Sequence, residues 1–298
     1  MRKTHRIFVL ILLAILISIQ FCNAQENKTE DRNVEITYIA NEGFLINVGE
    51  KSILIDAIFG DKEYGFCDIP DSLQIASMLE AKELYTSIDL IAVTHRDISN
   101  FYAPFVSEHL SNNKEGKFIS SEQTIEKLSR TNNYGKIKDR LIEMTPEDLS
   151  FQDTVINGIG IKVFRLKHGP HYIVDAETGE KINRHKNTQN LGFLFDINGV
   201  KIFHSGGSNP SCISDYEHFH LEKENIDIAF LGRDFIWNLD SEVDNVVRDY
   251  LNPKHIILMS IYHKHNERFI KLADKANGNS HSVKVFANKM ESKRYTIE

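Results

Sequence analysis

The sequence predicts a single layered sandwich of β-strands and α-helices, and three observations indicate this fold class. Short apolar runs typical of strands alternate with polar loops and amphipathic helical stretches along the chain. Asn198-Gly199 separates two apolar runs and supplies both positive-φ positions of a tight hairpin turn. No period of about 20–50 residues recurs, which excludes solenoids and propellers. The 298 residues are enough for one large domain with a substantial core.

The first 24 residues are typical of a secretory signal peptide. Basic residues precede the apolar run Ile7–Ile19, which is too short for a transmembrane helix, and small residues follow it. Residues 25–33 are polar and predict a flexible leader, so the folded domain is expected over 34–298. We expect an exported protein, periplasmic or extracellular. A lipoprotein anchored at Cys22 is the alternative, which the bulky residues before that cysteine disfavour.

The composition excludes several classes of protein. Hydrophobic residues make up 41% and charged residues 26% of the chain, as in soluble globular proteins. The net charge of −7 disfavours a nucleic-acid partner. Thirteen histidines and three cysteines permit a metal site of histidines and carboxylates but exclude a cysteine-rich zinc module. Cys67 and Cys212 would remain after signal cleavage, and an oxidising compartment leaves both a disulfide and two free thiols open.

The first half of the chain predicts strands followed by helices. Its β-branched and apolar runs indicate strands, and Gly49-Glu50-Lys51 indicates a hairpin between the second and third of them. In chain order we expect strands at Val34–Ile39, Phe44–Val48 and Ser52–Asp56, a helix at Ser72–Leu84, a buried strand at Asp89–Val93, a polar loop at Thr94–Tyr102, and helices at Ala103–Asn112 and Glu122–Thr131.

The second half returns to strands. A serine at the start and apolar residues at helical spacing predict a helix over Ser241–Leu251. The other elements expected here are strands at Gly160–Lys167, Phe193–Ile197, Val200–Phe203, Ile226–Leu231, His255–Met259 and Val283–Phe286.

Several motifs resemble those of the metallo-β-lactamase superfamily. Ile36–Ile46 followed by Ile53–Asp56 resembles its opening hairpin, most closely in the branch of the ascorbate-phosphate lactonases and N-acyl-phosphatidylethanolamine phospholipases. The family's next strand ends in Thr-His-x-His-x-Asp-His, where Thr94–Asn100 reads Thr-His-Arg-Asp-Ile-Ser-Asn. Ile202–Gly207 resembles a later motif whose final aspartate bridges two metals, and Pro253–Ser260 resembles another that ends in histidine. The resemblance implies a four-layer αβ/βα sandwich with a two-metal hydrolase centre.

The resemblance also shows how far this chain departs from the family's ligands. His95 and His168 are kept, whereas five of the seven ligand positions have changed, to Asp97, Ser99, Asn100, Gly207 and Ser260. Neutral oxygens and a glycine are poor substitutes for imidazole and carboxylate, so the second metal is expected to be lost. His95, Asp97 and His168 remain a legitimate set for one zinc, manganese or iron ion, and the absence of any ion is equally open. The expected cleft-lining residues are Ser99, Asn100, His204, Gly207 and Ser260.

Each candidate also has a simpler interpretation. His95 and Asp97 can belong to a polar loop without a ligand, and His168 can belong to a solvated turn with His171. His204 is expected to be a hydrogen-bonded structural residue. The remaining paired histidines are spaced i, i+2, which does not place them on one helix face, and we expect them at the surface: His218, His220, His263 and His265.

Three functional hypotheses follow. The first is a catalytically silent homologue that binds a small molecule in the emptied cleft. The second is a mononuclear hydrolase of an ester, lactone or phosphodiester that uses His95, Asp97 and His168. The third is a structural subunit with a protein partner. The residues identify no substrate, because function depends on the site and the site is where this chain departs from the family.

Overall fold

The computed structural model describes residues 32–243, 245–278 and 282–297. The proposed signal peptide, Cys22 and most of the proposed leader lie outside these residues and stay predictions. The described chain is already in a strand at Asn33. Within the described ranges no helix is long and apolar enough to cross a membrane.

Two seven-stranded sheets form the centre of the protein. The first sheet has the order β16-β1-β2-β3-β4-β5-β6, in which β3 to β6 are parallel and the others antiparallel. Its strands are β1 (Asn33–Ala40), β2 (Gly43–Val48), β3 (Lys51–Ile55), β4 (Leu90–Ala92), β5 (Lys117–Ser120), β6 (Leu141–Glu143) and β16 (Ser292–Thr296).

The second sheet has the order β15-β14-β13-β12-β11-β8-β7, parallel from β12 to β15 and antiparallel from β12 to β7. Its strands are β7 (Phe151–Ile156), β8 (Ile159–Leu166), β11 (Asn190–Ile197), β12 (Val200–His204), β13 (Ile228–Gly232), β14 (His255–Met259) and β15 (Val283–Val285). A separate hairpin, β9 (Tyr172–Val174) with β10 (Lys181–Asn183), interrupts the chain between β8 and β11.

Helices cover the outer faces of both sheets. The α-helices are α1 (Ser72–Leu79), α2 (Ala103–Asn112), α3 (Glu122–Ser129), α4 (Tyr134–Ile137), α5 (Ile213–Phe219) and α6 (Asn266–Gly278). A π-helical turn covers Val247–Leu251, and short 3₁₀ turns lie at Glu83–Tyr85, Lys138–Arg140, Pro210–Cys212, Leu221–Glu224, Arg233–Trp237 and His263–His265.

Three apolar clusters hold the layers together. The central cluster lies between the two sheets, where the fully buried rings of Phe44 and Phe230 are 4.5 Å apart. A second cluster joins the first sheet to α1, α2 and α3, and a third joins the second sheet to α5 and α6. Each buried large apolar side chain contributes about 1.5–3 kcal/mol. The predicted four-layer αβ/βα sandwich is therefore confirmed.

The predicted Asn-Gly hairpin is also confirmed. Asn198 and Gly199 have φ values of 54° and 79°, and β11 pairs antiparallel with β12 from Ile197 opposite Val200. This is the arrangement in which a two-residue turn follows the natural twist of the strands.

The helix predicted over Ser241–Leu251 is wrong in its first half. Asn245 closes the preceding loop by donating to Leu239 O and Ser241 O, while its Oδ1 accepts from the N–H of Arg248. Asn245 thus caps the helical turn, which begins after it rather than after Ser241. The helix predicted over Ser72–Leu84 also ends early, at Leu79, because Ala81 has a left-handed φ of 49°.

Candidate metal centre

The candidate site lies at one edge of the sandwich, where several strands of the same direction end. In the second sheet β8, β12, β13 and β14 share one direction, because β11 is antiparallel to both β8 and β12. The segments that follow β4, β8, β12 and β14 carry His95, His168, Gly207 and Ser260. Positions far apart in sequence therefore meet around a cleft of about 700 Å³.

His95 is held from behind by a chain of hydrogen bonds. Its Nδ1 lies 2.9 Å from Thr94 Oγ1, which donates to Asp56 Oδ2 at 2.6 Å. When Asp56 is ionised, the Thr94 hydroxyl donates to it, so Nδ1–H of His95 donates to Thr94 and Nε2 keeps its lone pair. Burial, and then the neighbouring His168, lowers the pKa of His95 to about 3. The imidazole is therefore neutral, the form that binds metals.

His168 is oriented in the same way by a backbone carbonyl. Its Nδ1 lies 2.8 Å from Gly169 O, and since a carbonyl only accepts, Nδ1 carries the proton and Nε2 is bare. Burial lowers the pKa of His168 as well. Its ring centroid lies 4.8 Å from that of His95.

Asp97 completes a compact set of ligand atoms. One atom each from Asp97, His95 and His168 lies within 4.8 Å of the other two. Asp97 Oδ2 lies 3.7 Å from His95 Nε2. Partial burial opposes ionisation of Asp97, but the surrounding imidazoles outweigh it and lower its pKa. Two neutral imidazoles and one carboxylate fit a single divalent ion with open positions.

In the opposite half of the cleft, the polar side chains are hydrogen-bonded to one another. Asn100 Nδ2 donates to Glu42 Oε2 at 2.6 Å, Ser99 Oγ donates to Asn100 Oδ1 at 2.9 Å, and Ser260 also hydrogen-bonds the Glu42 carboxyl. Burial raises the pKa of Glu42 to about 7. Arg233, whose guanidinium donates to the carbonyl of Ser260, is the cation on this side. These groups bond to one another and converge on Glu42 rather than on a common empty point.

Glu42, Asp56 and His95 form a second compact group, with ligand atoms within 4.8 Å of one another. The oxygens of Asp56 accept from the N–H and hydroxyl of Thr94. Burial raises the pKa of Asp56 to about 8. The ionised form of Asp56 accepts the Thr94 hydroxyl proton, and Thr94 then accepts from Nδ1 of His95, which leaves Nε2 of His95 bare. A cation at Nε2 would therefore favour ionised Asp56, and the group acts as support behind His95.

Comparison with known proteins gives the family. Residues 35–260 match the model of the beta-lactamase superfamily domain. The chain belongs to the metallo-β-lactamase superfamily. A search of curated proteins found no match, so the narrower branch proposed from the sequence stays a prediction.

Three solved structures share the fold of this chain at low identity. Igni18, a metallo hydrolase from Ignicoccus hospitalis, has a TM-score of 0.58 at 15% identity and covers 89% of this chain and 100% of its own. A possible metal-dependent hydrolase from Veillonella parvula has a TM-score of 0.57 at 15% identity, over 88% and 99%. CmlA, a diiron β-hydroxylase from Streptomyces venezuelae, has a TM-score of 0.53 at 11% identity, over 90% of this chain and 54% of CmlA. Such likeness shows the fold alone.

The structure places the other predicted site residues in three settings. Ser99, Asn100 and Ser260 line the cleft, and Gly207 lies beside it under the His168 ring. His204 is fully buried beneath the cleft instead of lining it, since its Nε2 bonds Glu42 O and its Nδ1 accepts from the N–H of Gly206. That is the structural role expected for this histidine. The paired surface histidines are exposed as predicted: His218, His220, His263 and His265.

Two cysteines predicted as a possible pair are free. Cys67 lies at the wall of the cleft and Cys212 contacts Lys167 O from the 3₁₀ turn before α5. Burial raises the pKa of the Cys67 thiol to about 12, so it is not a thiolate nucleophile at neutral pH.

Sequence reasoning missed Glu42 and His185. Glu42 lies between β1 and β2, inside the stretch that resembles the family's opening hairpin, but no ligand motif marks it. His185 lies in the long excursion between His168 and Asn190, and its ring centroid is 3.9 Å from that of His168. The length of this excursion was the available signal, because a connection of more than about 12–15 residues in a compact domain is frequently functional.

Proposed function

We propose that this protein is a hydrolase with a single divalent metal ion held by His95, Asp97 and His168. The observation that carries the proposal is the pair of neutral imidazoles, each with Nδ1 bonded to a protein oxygen and Nε2 bare beside an ionised carboxylate. Such pre-orientation is what metal-binding histidines show in proteins. Zinc, manganese and iron all accept this donor set.

The metal would supply the chemical activation, while the chain supplies position and charge. A divalent ion here would polarise a carbonyl or phosphoryl oxygen and make water acidic enough to react near neutral pH. Thr94 keeps the His95 ring in place, and Gly169 does the same for His168. Glu42, with a pKa of about 7, is the protein group on the far side of the cleft that can exchange a proton near neutrality.

The cleft favours a small substrate that carries negative charge. Arg96, Lys127 and Arg233 line it, against Asp97 and Glu42. Lys127 Nζ donates to the backbone carbonyl of Arg96, which holds the Lys127 cation at this wall. A carboxylate, or a phosphodiester that carries its own charge, would be attracted to this wall. We therefore propose an anionic ester, lactone or phosphodiester as the substrate class.

Catalytic silence is the second candidate function, and one observation favours it. The half of the cleft that would hold a second ion is bonded internally through Glu42, Asn100 and Ser260. A protein with that arrangement can bind an anionic ligand without hydrolysing it.

The test is the metal content and hydrolytic activity of the purified chain. We expect about one equivalent of divalent metal, loss of that metal in His95→Ala, and retention in His218→Ala, which alters an exposed histidine on α5. Hydrolysis of chromogenic carboxylate esters and of bis(4-nitrophenyl) phosphate should follow the metal. Two equivalents of metal, or none, would overturn the single-metal site, whereas one equivalent without hydrolysis would support the silent alternative.

A further inference from the structure

His185 reaches the candidate metal centre from outside the strand ends that carry the other ligands. It lies between β10, which ends at Asn183, and β11, which begins at Asn190. The β9–β10 hairpin forms its own two-stranded sheet, so this segment is an excursion from the sandwich that returns across the cleft. The side chain of His185 is 20% exposed, which places it in the wall of the cleft rather than in the core.

One backbone carbonyl orients two imidazoles at this point. Gly169 O lies 2.8 Å from Nδ1 of His168 and 3.1 Å from Nδ1 of His185. A carbonyl oxygen has two lone pairs and cannot donate, so both nitrogens carry protons. The neutral form of His185 therefore has a bare Nε2, as His95 and His168 do. Metal-binding histidines in proteins are typically oriented by a hydrogen bond of this kind from their other ring nitrogen.

The bare nitrogen of His185 lies beside the carboxylate that the metal site uses. Asp97 Oδ2 is 3.5 Å from Nε2 of His185 and 3.7 Å from Nε2 of His95. Ligand atoms around tetrahedral zinc lie roughly 3.3 Å apart when each bond is about 2.0–2.1 Å. Both distances from Asp97 are thus close to those between neighbouring ligands of one ion, while His185 lies outside the group of ligand atoms within 4.8 Å of one another that His95, Asp97 and His168 form.

We propose that His185 is a fourth protein ligand, which gives a centre of three histidines and one aspartate. The inference depends on the metal site proposed above but not on hydrolysis. The imidazole of His185, from the hairpin excursion, then takes the place of the family histidine that is Asp97 in this chain. Four protein ligands close a tetrahedral zinc site, so a hydrolytic centre of this kind needs an ion that accepts five or six ligands, such as manganese or iron.

A competing arrangement has the same 3.5 Å distance. Protonated His185 could donate from Nε2 to Asp97 as an ordinary ion pair, which would orient the carboxylate without binding metal. Loss of an orienting group typically weakens metal binding by about 10–100-fold. Loss of a ligand should exceed that range and also change the coordination geometry, so the two arrangements can be separated.

Cobalt(II) is the probe, because its visible absorption reports the number and geometry of its ligands. The full chain is stripped with a chelator and titrated with cobalt in competition with a chromogenic chelator. His185→Ala and His185→Gln are compared with His171→Ala, a neighbour on the same excursion whose ring lies 5.4 Å from that of His185. We expect a loss of more than about 100-fold in affinity and an altered spectrum in both His185 variants, with no change in His171→Ala.

Each other outcome counts against a defined claim. Wild-type binding with an unchanged affinity and spectrum in both His185 variants overturns the fourth ligand and leaves the three-ligand site intact. A loss of at most 100-fold with an unchanged spectrum assigns His185 the orienting role instead. No cobalt binding by the wild type overturns this inference together with the proposed function. Thermal unfolding of the stripped variants confirms that all of them are folded.

Discussion

Restoring the family's aspartate at position 207 should damage the existing site rather than rebuild a second one. Gly207 occupies the place of the bridging aspartate, and a Cβ built on it would lie 2.2 Å from Nε2 of His168 and 2.5 Å from its Cδ2. Ordinary van der Waals contact starts at about 3.4 Å. The imidazole must therefore move by about 1.2 Å, more than half the length of a zinc–nitrogen bond of about 2.0–2.1 Å.

The displacement should affect metal affinity much more than stability. His168 is a side chain at the edge of the cleft and can swing aside, and Gly207 does not have a positive φ that would strain an alanine. Its N–H bond to Asn190 Oδ1 is retained in any variant. We expect Gly207→Ala and Gly207→Asp to weaken metal binding by at least about 10–100-fold, with a change in unfolding free energy below about 1 kcal/mol.

Calorimetric titration with zinc or manganese and urea denaturation measure the two effects. Gly232→Ala is the matched control, because a Cβ there meets its nearest atom, Ser208 O, at 3.7 Å. Wild-type affinity in Gly207→Ala would refute the contact argument. A second equivalent of metal in Gly207→Asp would refute the inference that the other half of the cleft cannot hold an ion.

Two further predictions concern stability. Native Glu42 keeps its proton up to a pKa of about 7, whereas the unfolded chain releases it near 4.5, so this group makes the wild type lose stability as pH rises through that window. The Glu42→Gln variant has no carboxyl to titrate, so its free energy of unfolding should rise by about 3 kcal/mol relative to the wild type between about pH 5 and 8. Urea denaturation measures this difference, and parallel pH profiles of the two proteins would contradict the prediction. Phe193→Ala empties a fully buried site between the sheets and should cost about 3–5 kcal/mol. Leu73→Ala, at a side chain 82% exposed, should stay within about 0.5 kcal/mol, and equal values for both would be inconsistent with a core between the sheets.

The fold could be predicted because its signals are local. Asn198-Gly199 strongly favours a tight turn, and runs such as Ile53–Ile55 are typical of buried strands. The prediction failed where a side chain competed with the local pattern. The hydroxyl of Ser241, the expected cap, donates to Val243 O, and Asn245 caps the helical turn instead while it bonds to a loop that the pattern does not show.

The site was predictable only where a strand end marks it. His95 and His168 each follow directly on a buried strand, so motif and position agree. His185 follows a short exposed strand of an excursion, and its approach to Asp97 depends on how that excursion folds back. Glu42 gains its significance from Asn100, 58 residues away. Contacts of this kind arise from tertiary structure and leave no periodicity in the sequence.

A single metal ion, as proposed above, is favoured by charge as well as by ligand identity. In the half of the cleft with His95 and His168, an ionised Asp97 lies among neutral imidazoles whose bare nitrogens have no other partner in the described chain. In the other half, Glu42 holds a proton near neutral pH and already accepts hydrogen bonds from Asn100 and Ser260. An ion there would have to displace that proton, break both bonds and bear the repulsion of the neighbouring Arg233 cation. The free energy of binding a second ion is therefore opposed at each step, whereas the first ion meets a site whose charge and donors are already arranged for it.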